Sequence, residues 1–270
     1  MGSTSATALA VAIHGATGRM GTRLIQLIQA DPALTLAAAL DRPDHPRIGD
    51  DAGTICGVGA LGVPLAGALD PDREVDVLID FSLPAGSLAI GRVCRERGIP
   101  LVVGTTGFEP EQRLELEQAA ASIPLLISPN LSRAVNLLFR LASEAARALD
   151  GAADVEIVER HHHFKKDAPS GTALRLAEVV GQAIGTGPER YVHGRHGQVG
   201  ERPRGEIGIH ALRTGDNPGE HTVVFGLMGE CLELSHRALN RDGFVRGALE
   251  AARYLAGKPP RLYTMSDLLG

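Results

Sequence analysis

The chain has 270 residues, 44% of them apolar, with 27 Lys and Arg against 32 Asp and Glu for a formal net charge of −5. That length implies one large or two modest domains, and the negative balance argues against nucleic acid as the main partner. No apolar run reaches the roughly 18 residues that a membrane span needs, and with no Trp and 3% aromatic residues the chain is poorly equipped to stack bases or sugars.

The opening MGSTSATALA lacks a positive n-region and a long apolar h-region. It reads as a short disordered tail and not as a signal peptide. Strand and helix then alternate. ALAVAIHG is a buried strand ending in glycine, and RMGTRLIQLIQAD a helix with Met20, Leu24, Leu27 and Ile28 at helical spacing. LTLAAALD, VDVLIDF, IPLVVGTT and IPLLISPN are four further strands of the fully buried kind. Between them PAGSLAIGRVCRERG and EPEQRLELEQAAAS are helical, the first closed by Gly98. Apolar strands alternating with helices predict a doubly wound parallel sheet of Rossmann-like type, covered on both faces.

After about residue 130 the style changes. SRAVNLLFRLASEAARALDG is a long amphipathic helix expected to bury Val135, Leu138, Leu141, Ala142 and Ala145. ADVEIVERH, GEIGIHALR, EHTVVFG and CLELSHRA are longer, alternating strands, which suit an open, mostly antiparallel or mixed sheet with one face packed. RDGFVRGALEAARYLAG is a final helix ended by Gly257. The expected organisation is α/β. A dinucleotide-binding domain over residues 1–131 is completed by residues 241–270, and a smaller α+β domain spans 132–240.

IHGATGRMG places Gly15, Gly18 and Gly21 between the first strand and the first helix. This GxxGxxG is a variant of the dinucleotide fingerprint. Gly15 allows the tight turn, Gly18 a close approach to a pyrophosphate, and Gly21 close packing of helix on sheet. Asp41 ends the second strand where a ribose contact is expected. Arg42 follows it, suited to a 2′-phosphate, so NADH and NADPH are both candidates. Gly104, Thr105 and Thr106, and likewise Ser128, Pro129 and Asn130, stand at later strand ends, where such sheets bind ligands.

ERHHHFKKDAPSGTA, residues 159–173, concentrates positive charge. Three readings compete: a metal site, a solvated basic loop, and an anion site with an acid. Consecutive histidines alternate in direction on an extended chain, and no HExxH spacing is present, so no metal is expected. Ser170, Gly171 and Thr172 open a helix whose N–H groups and dipole would receive a carboxylate or phosphate. Crowded cations lower one another's pKa, which makes a Lys or His a usable proton donor near neutrality. The three cysteines, Cys56, Cys94 and Cys231, form no CxxC pair and fit a reducing cytoplasm.

EIVERHHHFKKDAPSGTA resembles the signature of the 4-hydroxy-tetrahydrodipicolinate reductase (dihydrodipicolinate reductase) family, meeting its fixed positions from Glu156 through His161, Lys165 and Asp167 to Ala173. GATGRMG, VVGTTG, SPNLS, GEIGIHALRTGD, GEHTV and the closing helix extend the resemblance over nearly the whole chain. It implies NADH- or NADPH-dependent reduction of a cyclic imine dicarboxylate, with loss of water, in the diaminopimelate route to lysine. By the same resemblance His161 and Lys165 handle protons, and His162, Gly171 and Thr172 bind substrate carboxylate. Gly15, Ala16, Thr17, Gly18, Arg19 and Met20 form the pyrophosphate loop, with Asp41 and Arg42 at the ribose. Gly104 to Thr106 and Ser128 to Leu131 lie on the nicotinamide side. A cytoplasmic homotetramer assembled through the second domain's sheet is implied as well. His163 and Lys166 carry no assigned role. The competing readings are a dehydrogenase with a nucleophilic Cys and a non-catalytic NAD(P) sensor, which would not need His161 and Lys165 together.

Overall fold

The computed structural model describes residues 8–270. The expected N-terminal tail falls outside that range, except that Leu9 and Ala10 already belong to the first strand. The chain divides into two compact units, one holding residues up to Ser132 together with Phe244–Gly270, the other Arg133–Gly243.

In the first unit, numbered in chain order, β1 (Leu9–His14), β2 (Leu34–Leu40), β3 (Leu65–Ala66), β4 (Val77–Asp80), β5 (Leu101–Val103), β6 (Pro124–Ile127) and β12 (Arg261–Tyr263) form one sheet. Its order is β12-β6-β5-β4-β1-β2-β3, with every neighbouring pair parallel. The chain winds outward from β1 in both directions, so the strand order reverses between β1 and β4. In open α/β sheets that reversal is where the ligand crevice forms. The two short edge strands, β3 and β12, went unanticipated, because two or three residues carry no apolar run.

Side chains alternate between the two faces of the sheet, and both faces are covered, so the central strands are largely apolar. Val11 and Ile13, with Val77, Ile79, Val102 and Leu126, feed one core, shared with Leu24, Ile25 and Ile28 of α1 (Arg19–Gln29). Ala12, Leu78, Leu101, Val103, Leu125 and Ile127 feed the other, shared with Ile90 and Cys94 of α3 (Pro84–Arg97) and Leu116 of α4 (Pro110–Glu117). Each such side chain contributes roughly 1.5–3 kcal/mol on burial. α7 (Asp242–Leu255) packs Val245, Ala248, Ala252 and Leu255 into the α1-side core. α2 (Ala52–Cys56) and α8 (Met265–Leu269) complete the unit.

The second unit carries β7 (Asp154–His161), β8 (Tyr191–Val192), β9 (Ile207–Arg213), β10 (Glu220–Leu227) and β11 (Glu230–Arg237), ordered β11-β10-β7-β9-β8. β10 runs antiparallel to β7 and β11, whereas β7, β9 and β8 pair in parallel, so the sheet is mixed. α5 (Arg133–Ala148) and α6 (Gly171–Ile184) share one core with Val155, Ile157, Ile207, Ile209, Val223 and Phe225. Glu156, Val158 and Arg160, which alternate with the buried β7 residues, stay only partly buried. On α5 the buried stripe is Val135, Leu138, Ala142 and Ala146, and Leu141 is 44% exposed. The spacing 3, 4, 4 follows one helix face, and Leu141 lies about 100° round from Ala142. The loop after α6 is tied to the sheet: Arg195 bonds Glu156 and Glu206, and Arg202 bonds Asp154 and Glu156.

Candidate active site

The first cluster lies in the first unit, where β1 hands over to α1. Gly15 has φ +77°, and a Cβ there would strike the Phe81 carbonyl. A Cβ on Gly21 would strike the Gly15 carbonyl and the Ala16 backbone. The turn is thus a close backbone cradle that only glycine fills. Gly18 caps α1 with no side-chain hydrogen bond, and no acidic residue stands in the first turn, which leaves the positive helix end to an outside anion. Gly18 and Arg19 are exposed, Thr17 and Met20 are partly buried, and Ala16 is core.

Asp41 Oδ2 accepts from the Thr17 amide at 3.0 Å and the Thr17 hydroxyl at 2.7 Å, and its Oδ1 from the Arg42 amide at 2.9 Å. Burial opposes the charge, but these bonds outweigh it and hold the carboxyl below its usual range. The carboxylate therefore braces the glycine turn. Arg42 points elsewhere, 3.4 Å from Asp44, with its side chain 67% exposed. A cradle for a pyrophosphate, an uncapped helix end and an ionised carboxylate at the end of β2 together fit a dinucleotide.

The later strand ends are organised by Asp80, 0% exposed at the end of β4. It accepts from His14 Nδ1 at 2.8 Å, the Ser82 amide at 3.2 Å, Thr105 Oγ1 at 2.8 Å, and Ser87 Oγ. Thr105 is buried and its hydroxyl is directed to Asp80, Gly104 lies against the Phe81 ring, and Thr106 is exposed. At the end of β6, Ser128 Oγ donates to the Asn130 carbonyl, Pro129 is exposed, and Leu131 is a core side chain.

The second cluster lies in the second unit. β7 ends at His161, and the following turn is closed by hydrogen bonds from the His162 and His163 amides to the Asn217 and Gly215 carbonyls. Ser170 is the N-cap of α6: its Oγ accepts from the Ala173 amide at 3.2 Å and shares a hydrogen bond of 3.0 Å with His221 Nε2. Gly171 and Thr172 are the first two helical residues, at the end where an α-helix carries partial positive charge. A Cβ at Gly171 would meet nothing within 4 Å. Lys165 Nζ bonds both oxygens of Asp167, at 2.9 and 2.8 Å. That hydrogen bond, ahead of all else, keeps the Asp167 carboxyl below its usual range.

His161 Nδ1 bonds Glu159 Oε2 at 2.6 Å. Burial pulls the imidazole pKa down and the Glu159 carboxylate pushes it up. Lys165 and Arg213 add to the downward pull, and the net result lies below the ordinary value. A lowered pKa favours the neutral imidazole, which can accept a proton. At Gly219, φ +149°, a Cβ would stand 2.9 Å from His161 Nε2, so the missing side chain leaves room there. His162 Nδ1 is buried with no protein partner. His163 lies tilted against the exposed Phe164, ring centroids 3.8 Å apart.

Three contributors escaped the sequence reading of the site: Glu159, Arg213 and His221. Glu159 lies inside the quoted signature, and the signal that could have found it is the strand's period of two, which puts it on the same packed face as Val155 and Ile157. Arg213 and His221 are supplied by β9 and β10, 54 and 51 residues from Glu159 and Ser170 respectively. Neither buried cysteine suits covalent catalysis. Burial pushes the Cys94 thiol up to about 12 and raises that of Cys56, which disfavours the thiolate, and Cys231 is exposed on β11.

A doubly wound sheet with a dinucleotide turn, joined in one chain to a unit that presents a carboxylate-paired histidine and a Ser-capped helix N-terminus, places the molecule in the class of nicotinamide-dependent oxidoreductases. Two family models match it, "Dihydrodipicolinate reductase, N-terminus" over residues 9–131 and "Dihydrodipicolinate reductase, C-terminus" over residues 134–269. The chain belongs to the dihydrodipicolinate reductase family.

It is 47% identical to the 4-hydroxy-tetrahydrodipicolinate reductase of Anaeromyxobacter dehalogenans over 262 residues, covering 96% of this chain and 97% of that one. The corresponding Myxococcus xanthus protein is 47% identical over 261 residues, 96% of each chain. A dipicolinate-bound dihydrodipicolinate reductase from Paenisporosarcina sp. TG-14 superposes with a TM-score of 0.75 at 26% identity, covering 96% of this chain and 98% of that one. An amine dehydrogenase from Mycobacterium smegmatis, with a TM-score of 0.63 at 12% identity, shares the fold alone.

Proposed function

We propose that the chain reduces 4-hydroxy-tetrahydrodipicolinate to tetrahydrodipicolinate, with loss of water, in the diaminopimelate route to lysine. NADH or NADPH is the reductant. The observation that carries this reading is the second-unit cluster: a histidine of lowered pKa, paired to a buried carboxylate, with a lysine on the following turn and a helix N-terminus open to an anion. A dicarboxylate substrate needs such a helix end. Reduction of a cyclic imine needs one hydride and one proton at neighbouring atoms.

The bound nicotinamide supplies the hydride. Residues 15–20 would hold the pyrophosphate on backbone amides at the α1 N-terminus, and Asp41 the ribose. Arg42 is free to swing toward a 2′-phosphate. Gly104, Thr105 and Thr106, with Ser128 to Leu131, line the nicotinamide side, largely through backbone groups. Thr105 acts through Asp80, which keeps these strand ends in place. Ser170, Gly171 and Thr172 receive one substrate carboxylate, and the unpartnered Nδ1 of His162 provides a further donor or acceptor. His161 Nε2 carries a proton to or from the substrate, and the Lys165 ammonium delivers one.

The first unit is thus the cofactor domain and the second the substrate domain. Residues 132–240 would also assemble the homotetramer, since the sheet face bearing Glu156, Val158 and Arg160 is only partly buried. None of the described helices is long and apolar enough to cross a membrane, and a cytoplasmic location suits the free cysteines. The deciding experiment follows loss of NADH or NADPH absorbance with enzymatically generated 4-hydroxy-tetrahydrodipicolinate. Substrate-dependent oxidation is expected, and its absence with both cofactors refutes the reading.

A further inference from the structure

Glu159 is a carboxylate with 0% exposure. Burying an unpaired charge is prohibitive, so such a group must be fully bonded or neutralised. Here four N–H donors converge on it. Oε2 accepts from His161 Nδ1 at 2.6 Å and from Arg213 Nη1 at 2.8 Å. Oε1 accepts from the Ser170 amide at 3.0 Å and from Arg213 Nη2 at 2.8 Å. Arg213 is the two-pronged counter-charge, and it also donates to the Asp167 carbonyl at 2.7 Å. The carboxyl stays ionised: burial opposes the charge, but the bonds from Arg213 and His161 outweigh it.

The two remaining donors belong to the two functions of this cluster. His161 is the proposed proton carrier, and Ser170 is the cap of the helix proposed to hold the substrate carboxylate. An ionised carboxylate can only accept. Nδ1 of His161 must therefore carry its proton, which leaves Nε2 as the exchanging atom, on the side that Gly219 keeps clear. The buried His221 ring packs edge-on against His161, centroids 5.2 Å apart, and completes the cage.

We infer that Glu159, clamped by Arg213, is a positioning residue for the reduction: one carboxylate fixes the tautomer and aim of His161 and at the same time pins the start of α6. The inference rests on the reading of His161 as a proton carrier. The charged and titratable groups facing the imidazole are Glu159 on its own strand, Lys165 on the following turn, Arg213 from β9, and His221 from β10 with His236 of β11 near it. Only Glu159 is negative. Glu159→Gln leaves His161 facing Arg213 and Lys165 alone, so its titration must move to lower pH. Arg213→Gln leaves the carboxylate uncompensated, so the same titration must move to higher pH. A residue that merely holds the fold together would not produce opposite shifts.

The experiment titrates the histidine side chains of the full-length protein by isotope-edited NMR, with His161 identified by its missing signal in His161→Asn. The kcat profile against pH, thermal melting and NADH binding are measured alongside. Glu159→Gln is expected to shift the His161 titration down, mix its two tautomers and lower kcat on the order of 100-fold. Glu159→Asp, which keeps the charge, should retain most of the wild-type titration. Arg213→Gln is expected to shift it up. An unchanged tautomer and titration in both Gln variants overturns the inference. If Glu159→Gln does not fold, Arg213→Gln decides alone, and no upward shift overturns it. Full turnover in His161→Asn would instead refute the proton-carrier reading itself, whatever Glu159 does.

Discussion

Lys165 and Asp167 form a two-pronged ion pair within one turn, with Nζ 2.9 and 2.8 Å from the carboxylate oxygens and the lysine side chain only 19% exposed. A lysine held this way is fixed in place rather than swinging in solvent. Loss of the ammonium in Lys165→Ala, or of the imidazole in His161→Ala, is expected to lower kcat by about 100-fold or more, the scale of general acid catalysis. Asp167→Ala keeps the ammonium but frees the side chain, so a smaller loss is expected. Steady-state rates of the three variants check the order, and near-wild-type turnover in both alanine variants at 161 and 165 would remove proton transfer from these residues.

Cofactor choice is proposed to turn on the end of β2. Asp41 is engaged by Thr17 and the Arg42 amide, whereas the Arg42 guanidinium is exposed and lies 3.4 Å from Asp44. Arg42→Ala should therefore weaken NADPH more than NADH, because a 2′-phosphate loses its cation while the ribose keeps its carboxylate. Titration of reduced-cofactor fluorescence measures both dissociation constants. Equal changes would place Arg42 outside the site.

The glycine turn offers a steric test. A methyl at position 21 would collide with the Gly15 carbonyl and the Ala16 backbone, neither of which can rotate away. Gly21→Ala is expected to destabilise the protein by about 1–3 kcal/mol, as overpacking does, and to weaken both cofactors together. Urea unfolding and cofactor titration of the one variant read the two effects.

Acid stability separates two buried groups. Burial, with the neighbouring His161 second, pushes His221 down to about 3 from an ordinary 6.5. Between those values the unfolded chain binds a proton that the folded chain refuses. The His221 contribution is complete above about 6.5 and is lost as pH falls toward 3. Asp80 is held below its ordinary 3.8 by His14, Ser82 and Ser87 against the opposing effect of burial, so its contribution is complete above that value and is lost only as pH falls further. Unfolding midpoints measured against pH should decline in two stages, and His221→Gln should flatten the upper one. An unaltered upper slope in that variant would show that another group titrates there.

Much of the fold was legible because its signals are local. β1, β2, β4, β5 and β6 are largely apolar runs that feed both faces of a parallel sheet, and α3 closes on Gly98 at φ +69°. The N-terminus of α6 was legible from Ser170-Gly171-Thr172, since the cap chemistry is written in neighbouring residues. Leu141 was misplaced because one step along a helix rotates a residue off the buried stripe while leaving it inside an apolar stretch.

The sequence by itself determined the class of fold, the glycine turn and the helix end proposed to bind an anion, each of which depends on residue type and short spacing. The proton roles proposed for His161 and Lys165 come from the resemblance of the surrounding motif to a known family. Only the tertiary structure decided how the His161 proton is controlled, because that control comes from Glu159 facing inward on β7 and from Arg213 and His221 arriving on other strands. Burial and charge proximity set a pKa, and both are properties of groups brought together across a sheet, where separation along the chain carries no information about distance.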